Sequence, residues 1–198
     1  MKKFVLIFFL VFIFSCSNKK DSDSILTTPF KLSNGTETAE FNSVISYCEK
    51  DIKKITKEIM INARNCALIT IDSIGVAHVR TMDPFLPQEN FTVWMATNPK
   101  SLKVKQIKNN RQVTLYYFDK ETVSYVTLQG VARIINTQNE KEKFWKKEWK
   151  IFYKNKTTDY TLIKFTPNKV NIVSEKYQIL GDSITWETPQ LNLENYKY

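Results

Sequence analysis

The chain has 198 residues, of which 42% are hydrophobic and 25% are charged, and its formal net charge is +9. Its single histidine and three cysteines do not supply the clustered Cys/His ligands of a transition-metal site. No Ser/His/Asp or paired-carboxylate arrangement indicates a hydrolase. If the protein catalyses a reaction, a bound cofactor is expected to carry the chemistry.

The first 16 residues resemble a bacterial lipoprotein signal peptide. A short positive region, Met1–Lys3, precedes an uninterrupted run of eleven apolar residues, Phe4–Phe14, which is shorter than the roughly 20 residues of a membrane-spanning helix. The run ends in Ile13-Phe14-Ser15-Cys16, which fits a lipobox, so we expect lipidation at Cys16. An uncleaved signal anchor and an ordinary cleaved signal peptide are the alternatives. The pattern predicts an exported protein that is anchored to a bacterial membrane, on the periplasmic side.

The next segment is predicted to be a tether. Residues 17–41 are rich in Ser, Thr, Asn, Asp and Lys and have no apolar period, which is typical of a flexible linker. Residues 42–198 then remain for one domain, which is long enough for a single hydrophobic core. A basic chain could bind nucleic acid, but the export signal argues against that partner. The scattered lysines are therefore interpreted as a solvated surface.

Apolar spacing predicts a helix followed by a hairpin. Ser43–Arg64 carries apolar residues at alternating intervals of three and four, with Asn42 or Ser43 as its cap. Cys66–Asp72 and Val76–Met82 are predicted strands that a turn at Gly75 joins. Cys48 falls on the predicted helix and Cys66 on the first strand. The two could form a disulfide in an exported chain, or they could be two buried thiols.

The remaining elements predict a mainly antiparallel β protein. Four further strands are predicted. Three of them are rich in β-branched and aromatic residues, namely Phe91–Ala96, Gln112–Asp119 and Val123–Ile135. The fourth is Tyr160–Thr166, which Pro167 is predicted to end. Pro99 is predicted to begin a helix that runs to about Asn109, and Thr137–Tyr153 is predicted to be a third helix. Six strands and three helices indicate an α+β, mainly β fold, namely a six-stranded antiparallel barrel with packed helices.

An Arg-ended strand and a basic helix together indicate an anion site. The segment Val79-Arg80-Thr81-Met82-Asp83-Pro84-Phe85 is followed by Trp94-Met95-Ala96-Thr97-Asn98 and then by Pro99-Lys100-Ser101-Leu102-Lys103. A helix N-terminus exposes backbone N–H groups and the positive end of the helix dipole, and both suit a phosphate. The sequence therefore predicts a phosphate site between the two strands and the helix.

These segments resemble the flavin-phosphate site of the pyridoxamine 5′-phosphate oxidase-like family, in its general stress protein 26-like branch. The resemblance extends from about Ile59 to Pro189 and implies an FMN-binding split β-barrel. It also implies a homodimer with one FMN in each cleft between the subunits. Further segments match in order: Asn62-Ala63-Arg64, Gln106-Ile107, Val113-Thr114-Leu115-Tyr116-Tyr117, Gly130-Val131-Ala132, Phe144-Trp145, Trp149 and Gly181-Asp182-Ser183-Ile184-Thr185-Trp186.

The resemblance implies which residues bind the flavin phosphate. Arg80 and Lys103 would form charge-assisted bonds to the dianion. Thr97 and Ser101 would add hydroxyl donors where the helix begins. As an alternative, Arg80 could be a surface residue that pairs with Glu89.

Three more residues are implied to contact the rest of the flavin. Thr81 and Met82 would lie along the isoalloxazine ring and offer backbone hydrogen bonds to its polar edge. Gln106 would reach the same ligand from the helix. Trp145 and Trp149 have helical spacing and are interpreted as core or dimer contacts rather than as a stack on the cofactor.

Together, the lipoprotein signal pattern and the family resemblance predict an exported, lipid-anchored, FMN-binding protein that acts as a flavin-dependent oxidoreductase on an unknown substrate. Vitamin B6 oxidation is not expected, because no arginine follows Arg133 to grip a substrate phosphate. Many family members also have a basic residue where Leu102 stands. The alternatives are a non-catalytic lipoprotein that binds flavin or another planar ligand, and a structural lipoprotein whose cleft is empty.

Overall fold

A computed structural model describes residues 47–193, which form one antiparallel sheet with helices packed against it. The helical elements are α1 (Glu49–Ala63), α2 (Leu102–Asn109), α3 (Gln138–Lys143) and a 3₁₀ helix (Lys147–Ile151). The strands are β1 (Cys66–Ile71), β2 (Ala77–Met82), β3 (Val93–Thr97), β4 (Gln112–Asp119), β5 (Ser124–Ile135), β6 (Thr161–Ser174) and β7 (Gln190–Asn192). Within the described residues, no helix is long and apolar enough to cross a membrane.

The sheet has seven strands and is not closed. Its order is β2-β1-β4-β5-β6-β3, and β7 pairs with β6. The long β6 pairs with β3 near its start and with β7 near its end. After β2 the chain crosses to β3, where Pro84 bridges Met95 and the Phe85 amide donates to the Trp94 carbonyl at 2.8 Å. This crossing brings the end of β2 beside β3 and gives the split-barrel arrangement.

The predicted α+β, mainly β fold is confirmed, and the six predicted strands are present. The strand β7 was missed, because three residues in a polar tail carry too little apolar pattern to predict it. The prediction that Pro167 ends the sixth strand was wrong, since β6 continues to Ser174. Pro167 lies opposite Gly130, at an irregularity in the β5–β6 pairing, which is a position where a sheet tolerates proline.

Two predicted helix starts were also wrong. Cys48 has an extended backbone and stands just before α1, which begins at Glu49 rather than at Ser43; the predicted caps Asn42 and Ser43 lie outside the described residues. The second helix begins at Leu102, not at Pro99. The turn before it is held by side-chain and main-chain bonds from Asn98, which accepts from Lys100 at 2.9 Å and from the Ser101 amide at 3.0 Å.

The predicted third helix is interrupted. It forms α3 and a 3₁₀ helix, which a non-helical stretch around Trp145 separates. Phe144 ends α3 with a non-helical backbone, and its carbonyl accepts from the Tyr160 hydroxyl. Lys146 is extended and donates to the Pro84 carbonyl at 3.0 Å. Tertiary contacts therefore outweigh the local helical pattern.

The buried side chains form two clusters. The larger one fills the sheet against α1 and includes Cys66 and Met82. The smaller one is mainly aromatic and contains Trp94, Trp149 and Tyr160, with Trp145 packed against it. The expectation that Trp145 and Trp149 are core residues is therefore confirmed. Cys48 and Cys66 are not joined by a disulfide, and burial raises the pKa of the Cys66 thiol to about 12, which makes it a poor nucleophile.

Candidate functional site

In the β1–β2 hairpin, Arg80 of β2 is bonded to polar atoms of β1. Arg80 lies opposite Leu68 in the register, and its Nη1 donates to the Leu68 carbonyl at 3.2 Å and to Thr70 Oγ1 at 2.6 Å. Its Nη2 donates to Gln106 Oε1 of α2 at 3.0 Å. The guanidinium is thus fixed between the hairpin and α2 by three neutral acceptors.

The bonds around Gln106 leave one buried donor without an acceptor. Arginine can only donate, so Thr70 Oγ1 accepts from Arg80, and the Thr70 hydroxyl donates its own hydrogen bond to Gln106 Oε1 at 2.7 Å. This orients the amide with its oxygen toward Arg80. Gln106 Nε2 is buried and has no hydrogen-bond partner among the described residues. An unpaired buried amide donor is unfavourable, so an acceptor from a ligand would stabilise it.

A second group of polar side chains lies where β3 meets α2. Lys103 Nζ donates to Thr97 Oγ1 at 3.2 Å, and the hydroxyl oxygens of Thr97 and Ser101 lie 3.1 Å apart. Thr97 is the last residue of β3 and Ser101 immediately precedes α2. The short turn between the strand and the helix therefore gathers an ammonium and two hydroxyls.

Arg80 and Lys103 are close enough to repel each other. Burial lowers the pKa of Lys103, and the positive charge of Arg80 lowers it further; burial also lowers the pKa of Arg80. Among the described residues neither cation has an ion-pair partner. The two cations converge without a carboxylate, which is the arrangement of an anion site.

The start of α2 lacks the acidic and capping side chains that usually stabilise a helix N-terminus. Its first turn contains no acidic residue, and Ser101 makes no side-chain cap to the backbone. Lys103 lies in that turn, although a cation near a helix N-terminus opposes the helix dipole. An anion at this end would bond to the exposed N–H groups and would offset both the charge of Lys103 and the positive end of the helix dipole. A doubly charged phosphate group therefore fits the residues present.

The seven predicted site residues fall into two sets. Arg80, Gln106, Lys103, Thr97 and Ser101 converge where β1, β2, β3 and α2 meet. Thr81 and Met82 follow Arg80 on β2, which is the terminal strand of the sheet order and, among the described strands, pairs with β1 alone. The Thr81 side chain is exposed, whereas the Met82 side chain is buried in the main core. Any ring contact by these two residues would involve their backbone.

Glu89 and His78 have partners outside the candidate site. Arg80 does not pair with Glu89, because Glu89 lies 2.7 Å from Lys57 instead. His78 is paired with Asp72 at 2.8 Å in the turn of the hairpin. Hydrogen bonds to His78 and to the Val76 amide lower the pKa of the Asp72 carboxyl. His78 therefore acts as a polar neighbour in the turn and not as part of the candidate site.

The predicted site residues did not include Thr70, which links Arg80 to Gln106. Thr70 is fully buried. A signal was present, because Cys66, Leu68 and Thr70 alternate along β1 and must share a face. A threonine among inward-facing positions, opposite a hairpin strand that contains an inward arginine, indicates a buried polar link.

Comparison with known proteins identifies the family. The family described as "Pyridoxamine 5'-phosphate oxidase like" matches residues 50–179. None of the curated proteins compared with this chain matched it.

Solved structures show the same fold. A protein from Clostridium acetobutylicum related to general stress protein 26 is 18% identical, covering 74% of this chain and 98% of its own, with a TM-score of 0.62. General stress protein 26 of Bacillus anthracis is 27% identical, covering 62% and 93%, with a TM-score of 0.54. A pyridoxamine 5′-phosphate oxidase-related, FMN-binding protein of Nostoc punctiforme is 11% identical, covering 72% and 93%, with a TM-score of 0.53. The chain therefore belongs to the pyridoxamine 5′-phosphate oxidase-like family and has the split-barrel fold of these structures.

Proposed function

We propose that this protein binds FMN with its phosphate between Arg80 and Lys103. The observation that carries the proposal is the convergence of these two cations, without a carboxylate, at the start of α2. The unpaired Gln106 Nε2 in the same cluster offers a further donor. The Nostoc punctiforme structure of the same fold is that of an FMN-binding protein.

The proposed roles follow from the chemistry of each side chain. Arg80 would hold the phosphate with a guanidinium whose orientation is already fixed. Lys103 would supply a second charge, and the hydroxyls of Thr97 and Ser101 would donate to the remaining phosphate oxygens. Leu102 is exposed at this end of α2 and offers no charge there. The backbone of Thr81 and Met82 would bond the polar edge of the flavin ring.

We further propose that the protein is a flavin-dependent oxidoreductase whose substrate is unknown. Bound FMN supplies hydride and electron transfer, and the protein binds and orients the ring. The alternative is binding of flavin, or of another planar ligand, without turnover. Reduction of the bound flavin by a nicotinamide donor would support the enzyme, whereas a flavin that no tested donor reduces would favour the binding protein.

A homodimer is proposed from the outer face of the sheet. The outward positions of β2, β1, β4 and the first half of β5 carry no charged side chain; these 13 positions are Ala77, Val79, Thr81, Ala67, Ile69, Ile71, Gln112, Thr114, Tyr116, Phe118, Tyr125, Thr127 and Gln129. The charged Arg133 lies on the same face further along β5. Phe118 is 48% exposed and Val79 is 65% exposed. An uncharged face of this extent is typical of a protein interface. A second copy on it would lie beside Thr81, next to Arg80.

We propose that the protein is exported and anchored to a bacterial membrane on its periplasmic side by a lipid on Cys16. The support is the sequence alone, because residues 1–46 lie outside the described part of the chain. Metabolic labelling with palmitate would test it. We expect label on the natural chain and none on Cys16→Ala, and an unlabelled natural chain would rule out the anchor.

The flavin site can be tested by titrating FMN into the full chain and into single variants, followed by absorbance and flavin fluorescence. We expect Arg80→Ala and Lys103→Ala each to weaken binding by about 1.5–3 kcal/mol, or roughly 10- to 150-fold, because each removes a charge-assisted bond to the phosphate. Lys105→Ala is the matched control, because Lys105 is exposed on the same helix. It should change affinity by less than about twofold.

Two results would contradict the proposal. A natural chain that holds no FMN would remove the flavin function. Equal affinities for Arg80→Ala, Lys103→Ala and the Lys105→Ala control would remove the phosphate assignment while leaving the flavin function intact. Far-UV circular dichroism of each variant shows whether the fold is retained.

A further inference from the structure

The segment from Lys143 to Lys156 forms a surface that combines exposed apolar and basic side chains. Ile151 and Phe152 are adjacent in sequence, and they are 80% and 74% exposed, respectively. Five exposed lysines lie in the same segment: Lys143, Lys147, Lys150, Lys154 and Lys156. We call these seven residues the 143–156 surface.

The two apolar side chains lie on a hydrogen-bonded turn. Trp149, on the same 3₁₀ helix, is buried, and its Nε1 donates to Asp83 at 3.1 Å. The Trp149 carbonyl accepts from the amides of Phe152 and Tyr153, each at 2.9 Å. The buried tryptophan therefore fixes the 3₁₀ helix, and Ile151 and Phe152 remain exposed on a bonded turn.

The charges of the 143–156 surface have few partners in the protein. None of the five lysines forms an ion pair with a described residue. Lys156 Nζ lies 4.2 Å from the Trp145 ring centre, which keeps its charge beside the aromatic cluster. Four carboxylates lie in or beside the segment: Glu148 is exposed on the 3₁₀ helix, Glu142 accepts from Gln138 at 2.6 Å, Asp83 pairs with Lys146, and Asp159 accepts from the Asn155 amide at 3.1 Å.

We propose that the 143–156 surface docks on an anionic lipid bilayer. Lysines attract acidic headgroups, and adjacent bulky apolar side chains can enter the boundary between headgroups and acyl chains. The inference goes beyond flavin binding and does not depend on it.

A lipid surface fits these side chains better than a second copy of the chain does. The chain is formally +9, and the 143–156 surface is itself basic, so a symmetric contact would place lysines against lysines. A bilayer that contains acidic lipids is complementary to both the charges and the apolar pair. The expected lipid anchor at Cys16 would also keep the domain close to such a surface.

The test uses the full chain with phosphatidylcholine vesicles that either contain or lack phosphatidylglycerol. Amide hydrogen exchange is measured in peptides that cover Lys143–Lys156, so membrane contacts elsewhere in the chain do not affect the readout. We expect exchange around Phe152 to slow by at least about threefold on the anionic vesicles and to recover in high salt. Equal exchange on both kinds of vesicle would overturn the proposal. Protection that persists without acidic lipid would also overturn it, since it would indicate contact between protein copies.

Matched variants separate the apolar and the basic contributions. Ile151→Ser with Phe152→Ser should abolish the protection, whereas Ile184→Ser, at another exposed position, should keep it. Protection that survives the double change would overturn the proposal. Unchanged exchange in β5 confirms that each variant is folded.

A pair of charge variants tests the lysines. Lys147→Gln with Lys150→Gln should reduce the protection on anionic vesicles. Lys50→Gln with Lys54→Gln removes the same charge from the exposed side of α1 and should leave the protection intact. Equal effects of the two pairs would overturn the assignment to the 143–156 surface, because they would show a response to net charge alone.

Discussion

Lys103 stands at a position where its charge opposes folding. It lies in the first turn of α2, is partly buried, and is repelled by Arg80, and its pKa is lowered as a result. A cation whose pKa is lower in the folded chain destabilises that chain at every pH below the folded value. The penalty disappears as the pH rises above the unfolded value. The position is therefore better explained by ligand binding than by stability.

We predict that Lys103→Met raises the thermal stability of the ligand-free protein and weakens FMN binding. The change removes the repulsion from Arg80 and keeps a flexible side chain of similar length. The gain in melting temperature should be full at every pH below the folded pKa of Lys103 and should vanish above the ordinary pKa of lysine, about 10.4. FMN affinity should fall by about 1.5–3 kcal/mol, since one charge-assisted bond is lost. Differential scanning calorimetry and FMN titration measure the two effects.

Lys105→Met is the control for this prediction. Lys105 is exposed on the same helix, so neither stability nor affinity should change by more than about 0.5 kcal/mol. A Lys103→Met protein that is less stable than the natural one would show that the ammonium supports the fold through Thr97, and it would contradict our account of this charge.

The long strand β6 depends on a glycine in the opposite strand. Gly130 lies opposite Pro167, and a Cβ at Gly130 would stand 2.6 Å from the Pro167 Cα and even closer to the Thr166 carbonyl oxygen. The absence of a side chain therefore lets the irregular pairing form. Proline fits there because the strand is already distorted.

We predict that Gly130→Ala destabilises the protein by about 1–3 kcal/mol, because backbone atoms of β6 must move to admit the methyl group. Urea unfolding followed by tryptophan fluorescence measures the change. Gly181→Ala is the comparison variant, since its Cβ would stand 3.2 Å from the nearest atom, the Glu187 carbonyl oxygen. It should destabilise the protein less. Equal stability of the natural protein and the Gly130→Ala variant would show that β6 adjusts without difficulty.

Local pattern predicted the strands well and the helix boundaries poorly. Alternating or β-branched segments located β1, β2, β4 and β5 to within a residue or two, since strand faces are set by period-two burial. The interruption near Trp145 is accompanied by a bond from the Tyr160 hydroxyl, which lies just before β6 and far along the chain. Spacing alone could not show that contact. The continuation of β6 past Pro167 likewise depends on Gly130 in the facing strand.

The candidate site was predictable in part. The residues alone indicated an anion site between the strands and a helix N-terminus, and the family resemblance then implied that Arg80 and Lys103 bind the phosphate. The links from Arg80 through Thr70 to Gln106 could not be predicted, because they require α2 to pack against β1. The burial of the Met82 side chain also follows from the barrel interior and not from local sequence.

At the scale of the whole molecule, the outer face of the sheet is uncharged over β2, β1, β4 and the first half of β5, and we propose that this region is a dimer interface. We predict that Phe118→Glu weakens the dimer at least about tenfold, since it places like charges near the interface and removes an apolar contact. Sedimentation equilibrium measures the association. Ile184→Glu, at an exposed position outside the sheet, should leave association unchanged. A natural protein that is monomeric at all concentrations would contradict the proposed interface.

The phosphate assignment makes a specific prediction about the ligand. Riboflavin has the same ring as FMN but lacks the phosphate, so the natural chain should bind FMN more tightly by about 10- to 150-fold. If Arg80 binds the phosphate, Arg80→Ala should bind the two ligands with more nearly equal affinity, and its riboflavin affinity should match that of the natural chain.

The most direct measurement is therefore a parallel titration of the natural chain and Arg80→Ala with FMN and with riboflavin. Our account predicts that the preference for FMN shrinks in the variant while riboflavin binding is unaffected. An undiminished preference in Arg80→Ala, or no preference in the natural chain, would contradict the proposed phosphate site.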